Sequence, residues 1–252
     1  MKSVVVLAFV ALLGVAFAVQ VETAQDSQQK FGYAIDLANF TSASSYSCLR
    51  QKGYNYAFVG MYHPKGDGSV LPRAAQNIRN AVAGGFLVQP YFYPQPQGRK
   101  TGLQQLDEVI QTLATNNLLV NNLQMWLKVT DPIKWANNPQ GNIKFIAEIL
   151  QAAYRFNINM GIYTNWYDWQ QITGNWRLEG HKLWYWNVYG EGVKAESPAN
   201  FNDFRAFAGF TSADGAMKQF GIGLYNCQAQ FNRNLYVAAN AKSAAYGVAL
   251  HQ

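Results

Sequence analysis

The sequence predicts an α/β protein folded as a TIM-like (β/α) barrel, in a modified and incomplete form. Two observations carry that reading. Short apolar runs of strand character alternate with stretches of helical period along the chain, and the first run ends in an acid instead of leading into a glycine-rich loop. Alternation of this kind implies parallel strands with helices covering the sheet. A doubly wound sheet would fit it too, but such a sheet commonly carries a phosphate-binding loop after its first strand, whereas an acid at a strand's C-terminal end suits a barrel mouth. A chain of 252 residues is enough for one such unit.

The first strand is the apolar run at 33–37, which contains Asp36. Residues 44–52 have helical spacing and stop at Gly53; 56–62 read as a buried strand. Residues 71–83 form a helix with Ile78 and Val82 on one face, closed by Gly84 and Gly85, and 86–93 follow as the third strand. The pattern then repeats with a helix at 103–113, a strand at 125–129, an amphipathic helix at 143–156 and strands at 160–164 and 183–189. Beyond Tyr189 the alternation weakens, leaving strands at 217–220 and around 225–231, so eight regular units are not expected. The folded domain is placed at 31–237, before an Ala-rich tail at 238–252, and no linker divides it.

The N-terminus reads as an address. Lys2, an apolar stretch at 4–19 and the small-residue site Ala16-Phe17-Ala18 predict a secretory signal over 1–18, followed by a Gln-rich lead-in at 19–30. Without Lys2 the mature chain has 19 basic and 14 acidic residues, a net charge of +5. The basic residues are scattered, which argues against nucleic acid and leaves only a general attraction to anionic surfaces such as a bacterial envelope. No membrane span is expected after cleavage, and a monomer is expected. Cys48 and Cys227 suit an oxidising compartment, and a bridge between them would be worth about 4–5 kcal/mol in the chain-entropy model. Asn39-Phe40-Thr41 is a glycosylation sequon, meaningful in an exported chain.

Metal and triad chemistry find no support. His63, His181 and His251 do not cluster, and no serine sits in a G-x-S-x-G turn. No cofactor is called for, and carboxylates are left as the candidate chemistry.

Six segments in order then resemble a known family: Gly32-Tyr33-Ala34-Ile35-Asp36-Leu37; Cys48 to Tyr54 running into Tyr56-Ala57-Phe58-Val59; Asn80 to Gly85; Met160-Gly161-Ile162-Tyr163-Thr164; Leu183-Trp184-Tyr185-Trp186; and Lys218-Gln219-Phe220. Together they resemble the invertebrate and protist-type lysozymes related to glycoside hydrolase family 25. The resemblance implies a modified β/α barrel that cleaves peptidoglycan between N-acetylmuramic acid and N-acetylglucosamine. It also implies four carboxylates: an Asp ending the first strand, an Asp-x-Glu on the fourth, and an Asp near the C-terminus. Asp36 matches the first. The others fall on Lys128, Thr130 and Asn232, so three of the four are replaced.

Glycoside cleavage needs a carboxyl that donates a proton to the leaving oxygen and a second that activates water, attacks, or steadies the developing cation. A threonine hydroxyl is too weak an acid to stand in alone, and a positioned general acid is typically worth about 10²–10⁴-fold. An ammonium at 128 repels the forming oxocarbenium ion and pairs more naturally with Asp36. Strand alternation turns Asp131 away from the barrel unless Pro132 has already turned the chain; Asp168 and Glu191, on later loops, read as solvated charges and become proton donors only if a loop folds over the mouth. Tyr62, Tyr91, Tyr93, Trp126, Tyr163, Trp166, Trp184, Trp186 and Tyr189 fall at or near strand ends, most of them core. Tyr93, Trp166 and Trp186 are the candidates for stacking on sugar rings. The expected function is therefore a secreted, lysozyme-like, catalytically impaired protein that binds peptidoglycan or a related glycan in defence or digestion. The alternatives are an active muramidase using other carboxylates and a structural protein without sugar affinity.

Overall fold

The computed structural model describes residues 31–118 and 121–238; the expected signal, the lead-in and the tail from 239 onward lie outside the described residues. In chain order the elements are β1 (Phe31–Leu37), α1 (Ala43–Gln51), β2 (Tyr54–His63), β3 (Ser69–Val70), α2 (Ala74–Ala83), β4 (Leu87–Phe92), α3 (Gly102–Thr115), β5 (Gln124–Lys128), α4 (Pro139–Arg155), β6 (Asn159–Thr164), α5 (Trp166–Thr173), β7 (Leu183–Trp186), β8 (Gly215–Asn226) and β9 (Ala229–Val237).

The sheet runs β1-β9-β8-β7-β6-β5-β4-β2, and β1 pairs with β2 to close it into a barrel; β3 is a short hairpin addition to β2. Every ladder from β1 through β2, β4, β5, β6 and β7 to β8 is parallel. The last strand departs from the expected alternation, because β9 is antiparallel to both β1 and β8. The cause is local. Cys227 and Gln228 both have positive φ, 51° and 60°, the backbone of a tight two-residue hairpin, and Asn226 pairs with Ala229 across it. The strand expected at 225–231 thus contains a turn, the strand expected at 217–220 extends to 215–226, and the strand expected to reach Tyr189 stops at Trp186.

Helix starts follow capping chemistry. Thr101 and Gln104 form a reciprocal capping box at α3, and the Asn138 side chain caps α4 ahead of Pro139 at its first position. The short helix α5, which the apolar pattern did not predict, begins where Asn165 Oδ1 accepts the Asp168 backbone N–H at 2.8 Å.

Two cores result from the period-2 alternation of the strands. Outward-facing residues such as Ile35, Val59, Val88, Leu127 and Ile162 pack beneath the helices. Inward-facing residues fill the barrel with rings: Tyr56, Phe58, Tyr91, Trp126, Tyr163 and Trp184, with Ala34 and Met217. Trp184 sits centrally, 4.6 Å from Phe58, 4.9 Å from Tyr163 and 5.9 Å from Trp126 between ring centroids. Such bulk demands glycine opposite: a Cβ on Gly161 would lie 2.4 Å from the Trp126 ring. The two indole N–H groups inside the barrel have side-chain amide acceptors, Trp126 on Gln89 at 2.7 Å and Trp184 on Asn234 at 2.8 Å. Cys48 on α1 is bonded to Cys227 in the β8–β9 turn, tying the first helix to the last hairpin.

Candidate functional site

Asp36 lies at the C-terminal end of β1, in register with Asn232 on β9, and is 1% exposed. Its Oδ1 accepts hydrogen bonds from Gln219 Nε2 at 2.6 Å and Asn234 Nδ2 at 2.9 Å; its Oδ2 accepts from Asn232 Nδ2 at 3.0 Å. Lys128, the last residue of β5, brings Nζ to 3.6 Å from Asp36 Oδ2. That ammonium is packed against aromatic faces, 4.3 Å from the Tyr91 centroid, 4.4 Å from Tyr163 and 5.3 Å from Trp184. Burial pushes the Lys128 amine below its ordinary value, and Asp36 works against that shift. The residues at 36, 128 and 232 thus form one buried cluster in which a single carboxylate is met by three amides and a cation.

Above this floor stand two further carboxyl groups. Thr130 Oγ1 is 2.5 Å from Asp168 Oδ2, and Trp186 Nε1 donates to the same oxygen at 3.2 Å. Asp168 is therefore not the solvated loop charge expected: it sits in the first turn of α5, 3% exposed, at the C-terminal face of the strands. Burial raises its pKa and the nearby charge of Asp131 adds to that, while the Thr130 and Trp186 hydrogen bonds oppose it. Asp131 also departs from strict strand alternation. Its φ of 55° turns the chain at once, ahead of Pro132, and its carboxylate meets the Tyr93 hydroxyl and Lys134 Nζ, the latter at 2.9 Å. Although partial burial acts to raise the Asp131 pKa, those two hydrogen bonds and the Lys134 charge hold it below the ordinary carboxylate value. Two carboxyls at one mouth are therefore pushed apart, Asp168 toward the neutral acid and Asp131 toward the anion.

The remaining expectations separate cleanly. Tyr93 and Trp186 touch the mouth carboxyls; Trp166 instead lies under the Arg205 guanidinium at 4.3 Å and against Tyr167. Tyr62 is buried in the outer core with its hydroxyl on Glu108, and Tyr189 and Glu191 are exposed in the loop after β7. Asn39 of the sequon is exposed. Among the described residues, no group of three His, Cys, Asp or Glu side chains could hold a metal, and no helix is long and apolar enough to cross a membrane.

Sequence reasoning gave Asp168 only a conditional role, as a donor on a loop folded over the mouth, and missed Gln219 and Asn234. Signals existed: Asn165 three residues before Asp168 is a helix start directly after a strand. Gln219 shares a strand face with inward-facing Met217, two residues away.

Comparison with known proteins decides the family. Residues 27–220 match the family model described as lysozyme-like protein 1. The chain belongs to the lysozyme-like proteins related to glycoside hydrolase family 25. It is 42% identical to lysozyme-like protein 7 of Caenorhabditis elegans over 85% of this chain and 75% of that protein. It is 29% identical to the probable GH family 25 lysozyme 5 of Dictyostelium discoideum, over 80% of this chain and 89% of the other. In fold it is similar to the family GH25 lysozyme from Aspergillus fumigatus, with a TM-score of 0.64 at 13% identity over 87% of this chain and all of that one. The bacterial lysozyme from Streptomyces coelicolor gives a TM-score of 0.64 at 18% identity, over 86% of this chain and 96% of that one.

Proposed function

We propose that this chain is a secreted lysozyme-like protein that binds peptidoglycan or a related glycan at its barrel mouth, with hydrolysis by the family's carboxylate set impaired, in a defence- or digestion-associated role. The observation that carries the proposal is the approach of Lys128 Nζ to 3.6 Å from Asp36 Oδ2. A cation fills the position from which an anion would steady a glycosyl cation, and Asp36 is engaged by it and by three amides.

Binding is supported by what lines the mouth. Tyr93 and Trp186 supply ring faces for the apolar faces of sugar rings, while Asp131 and Asp168 offer oxygens to sugar hydroxyls beside them. Secretion is supported by the signal at 1–18 and agrees with the Cys48–Cys227 disulfide.

Pull-down on insoluble peptidoglycan should retain the protein at a salt concentration that releases a merely basic one. Wash-off under those conditions would support a structural role without sugar affinity. Turbidity clearing of bacterial cell walls should fall far below that of an ordinary lysozyme; a comparable rate would refute the impairment. The combined variant Lys128→Asp, Thr130→Glu, Asn232→Asp restores the set that the resemblance implies and should raise hydrolysis by about 10²-fold or more.

A further inference from the structure

We propose that Asp168 and the Thr130 hydroxyl act together as a proton relay at the barrel mouth, with the neighbouring Asp131 carboxylate as the base, giving this protein a slow glycoside hydrolysis of its own. The inference rests on the glycan-binding reading above and adds catalytic groups that the family pattern does not contain.

The geometry supplies the relay. Thr130 occupies the position of the family's acid, and its Oγ1 is 2.5 Å from Asp168 Oδ2. A threonine cannot release a proton unaided, but a hydroxyl that receives one as it gives one can pass it along. Asp168 is suited to hold that proton. It is buried in the first turn of α5, its neighbour Asp131 repels a second negative charge, and its pKa is raised accordingly. In the protonated form the Asp168 O–H donates to Thr130 Oγ1 and Trp186 Nε1–H still donates to the carboxyl. Asp131 is held as an anion by Tyr93 and Lys134, the complementary state for a base.

The bond between the anomeric carbon and the glycosidic oxygen breaks, its electron pair staying on the oxygen. That oxygen takes the Thr130 proton, and Thr130 takes the Asp168 proton. Water adds to the anomeric carbon and gives its extra proton to Asp131. Exchange with solvent returns one proton to Asp168 and removes one from Asp131, so the net reaction is consumption of one water and release of two sugar ends.

The test measures release of new reducing ends from purified peptidoglycan and from N-acetylchitopentaose, beside peptidoglycan pull-down of the same proteins and a thermal melt of each. The wild type should release ends slowly but measurably above a sample with the enzyme heat-denatured. Asp168→Asn and Thr130→Val should each lower that rate at least about 10-fold, and Thr130→Ser should keep most of it, with the Thr130 variants retained in the pull-down like the wild type. No release by the wild type, or equal rates in the wild type, Asp168→Asn and Thr130→Val, would overturn the relay. Were Asp168→Asn to unfold, Thr130→Val against Thr130→Ser decides alone. Loss of pull-down by the wild type strikes the glycan-binding reading instead, so the two failures are distinguishable.

Discussion

Replacing Asp36 by Asn tests what the buried cluster under the mouth contributes. The pair with Lys128 spans 3.6 Å, so at the effective dielectric of about 20 that suits protein sites its attraction is about 4–5 kcal/mol before desolvation is counted. Asn keeps the shape but withdraws the charge, leaving a buried ammonium against the Tyr91, Tyr163 and Trp184 faces, and three amide groups that had donated to a carboxylate. Breaking a buried pair from one side typically costs about 3–5 kcal/mol. For a domain of this size that is a fall in Tm of roughly 6–20 °C, read by calorimetry at neutral pH. Lys128→Met should cost less, because Asp36 keeps its three amide donors and a desolvated amine has been removed. The double variant should then be more stable than the two losses summed, by about 0.5–3 kcal/mol. An Asp36→Asn melt within 2 °C of wild type, or a larger loss for Lys128→Met than for Asp36→Asn, would refute this account of the pair.

Three further outcomes follow from the same structure. Since the Asp168 pKa is raised above its unfolded value near 3.8, its neutral form stabilises the fold fully below that pH and the contribution is lost as pH rises through the folded value. Asp168→Asn should therefore flatten the decline of stability across that window in urea titrations at stepped pH; an unchanged slope would contradict it. Reduction of Cys48–Cys227, or its replacement by a serine pair, releases a loop with a sequence separation of 179 and should cost about 5 kcal/mol in the chain-entropy model, visible as a lower denaturation midpoint. Gly161→Ala places a methyl 2.4 Å from the Trp126 ring and should destabilise by about 1–3 kcal/mol with a change in near-ultraviolet circular dichroism; a silent substitution would mean the inner core is loosely packed.

The parts of the fold that could be read from residue order are those governed by local periodicity. The strands at β2, β4, β5 and β6 are short apolar runs, and glycine or helical spacing marks α1, α2, α3 and α4, so the barrel class follows from them. Local periodicity does not report strand direction, and so the antiparallel β9 escaped it. Its cause is two positive-φ residues, Cys227 and Gln228, neither of a type that announces a hairpin turn. At the site, the pairing of Lys128 with Asp36 follows from both standing on barrel strands at the same end, one amine opposite one acid. Asp168 was harder, because its importance depends on a contact with Thr130 across 38 residues that no spacing rule encodes. Asp131 was misplaced by alternation because the strand ends before it, at Lys128, and the backbone turns through an αL conformation.

The mouth divides into a floor and a rim that are held by different partners. At the floor, Asp36 is enclosed by β5, β8 and β9 through Lys128, Gln219, Asn232 and Asn234, a cluster whose donors and acceptors match. A carboxylate returned to 128 alone would face Asp36 across a few ångströms with no cation between them, and one of the two would have to take up a proton. The rim is built from other elements: Tyr93 beyond β4, Asp131 beyond β5, Asp168 on α5 and Trp186 on β7. Its two carboxyls contact different partners from those of the floor, Asp168 through a hydroxyl and an indole, Asp131 through a phenol and Lys134. Lys128→Asp by itself should therefore lower stability while leaving peptidoglycan retention in place, whereas paired replacement of Tyr93 and Trp186 by Ala should lower retention with a smaller effect on the melt. The reverse assignment of effects would place binding at the floor and refute the division.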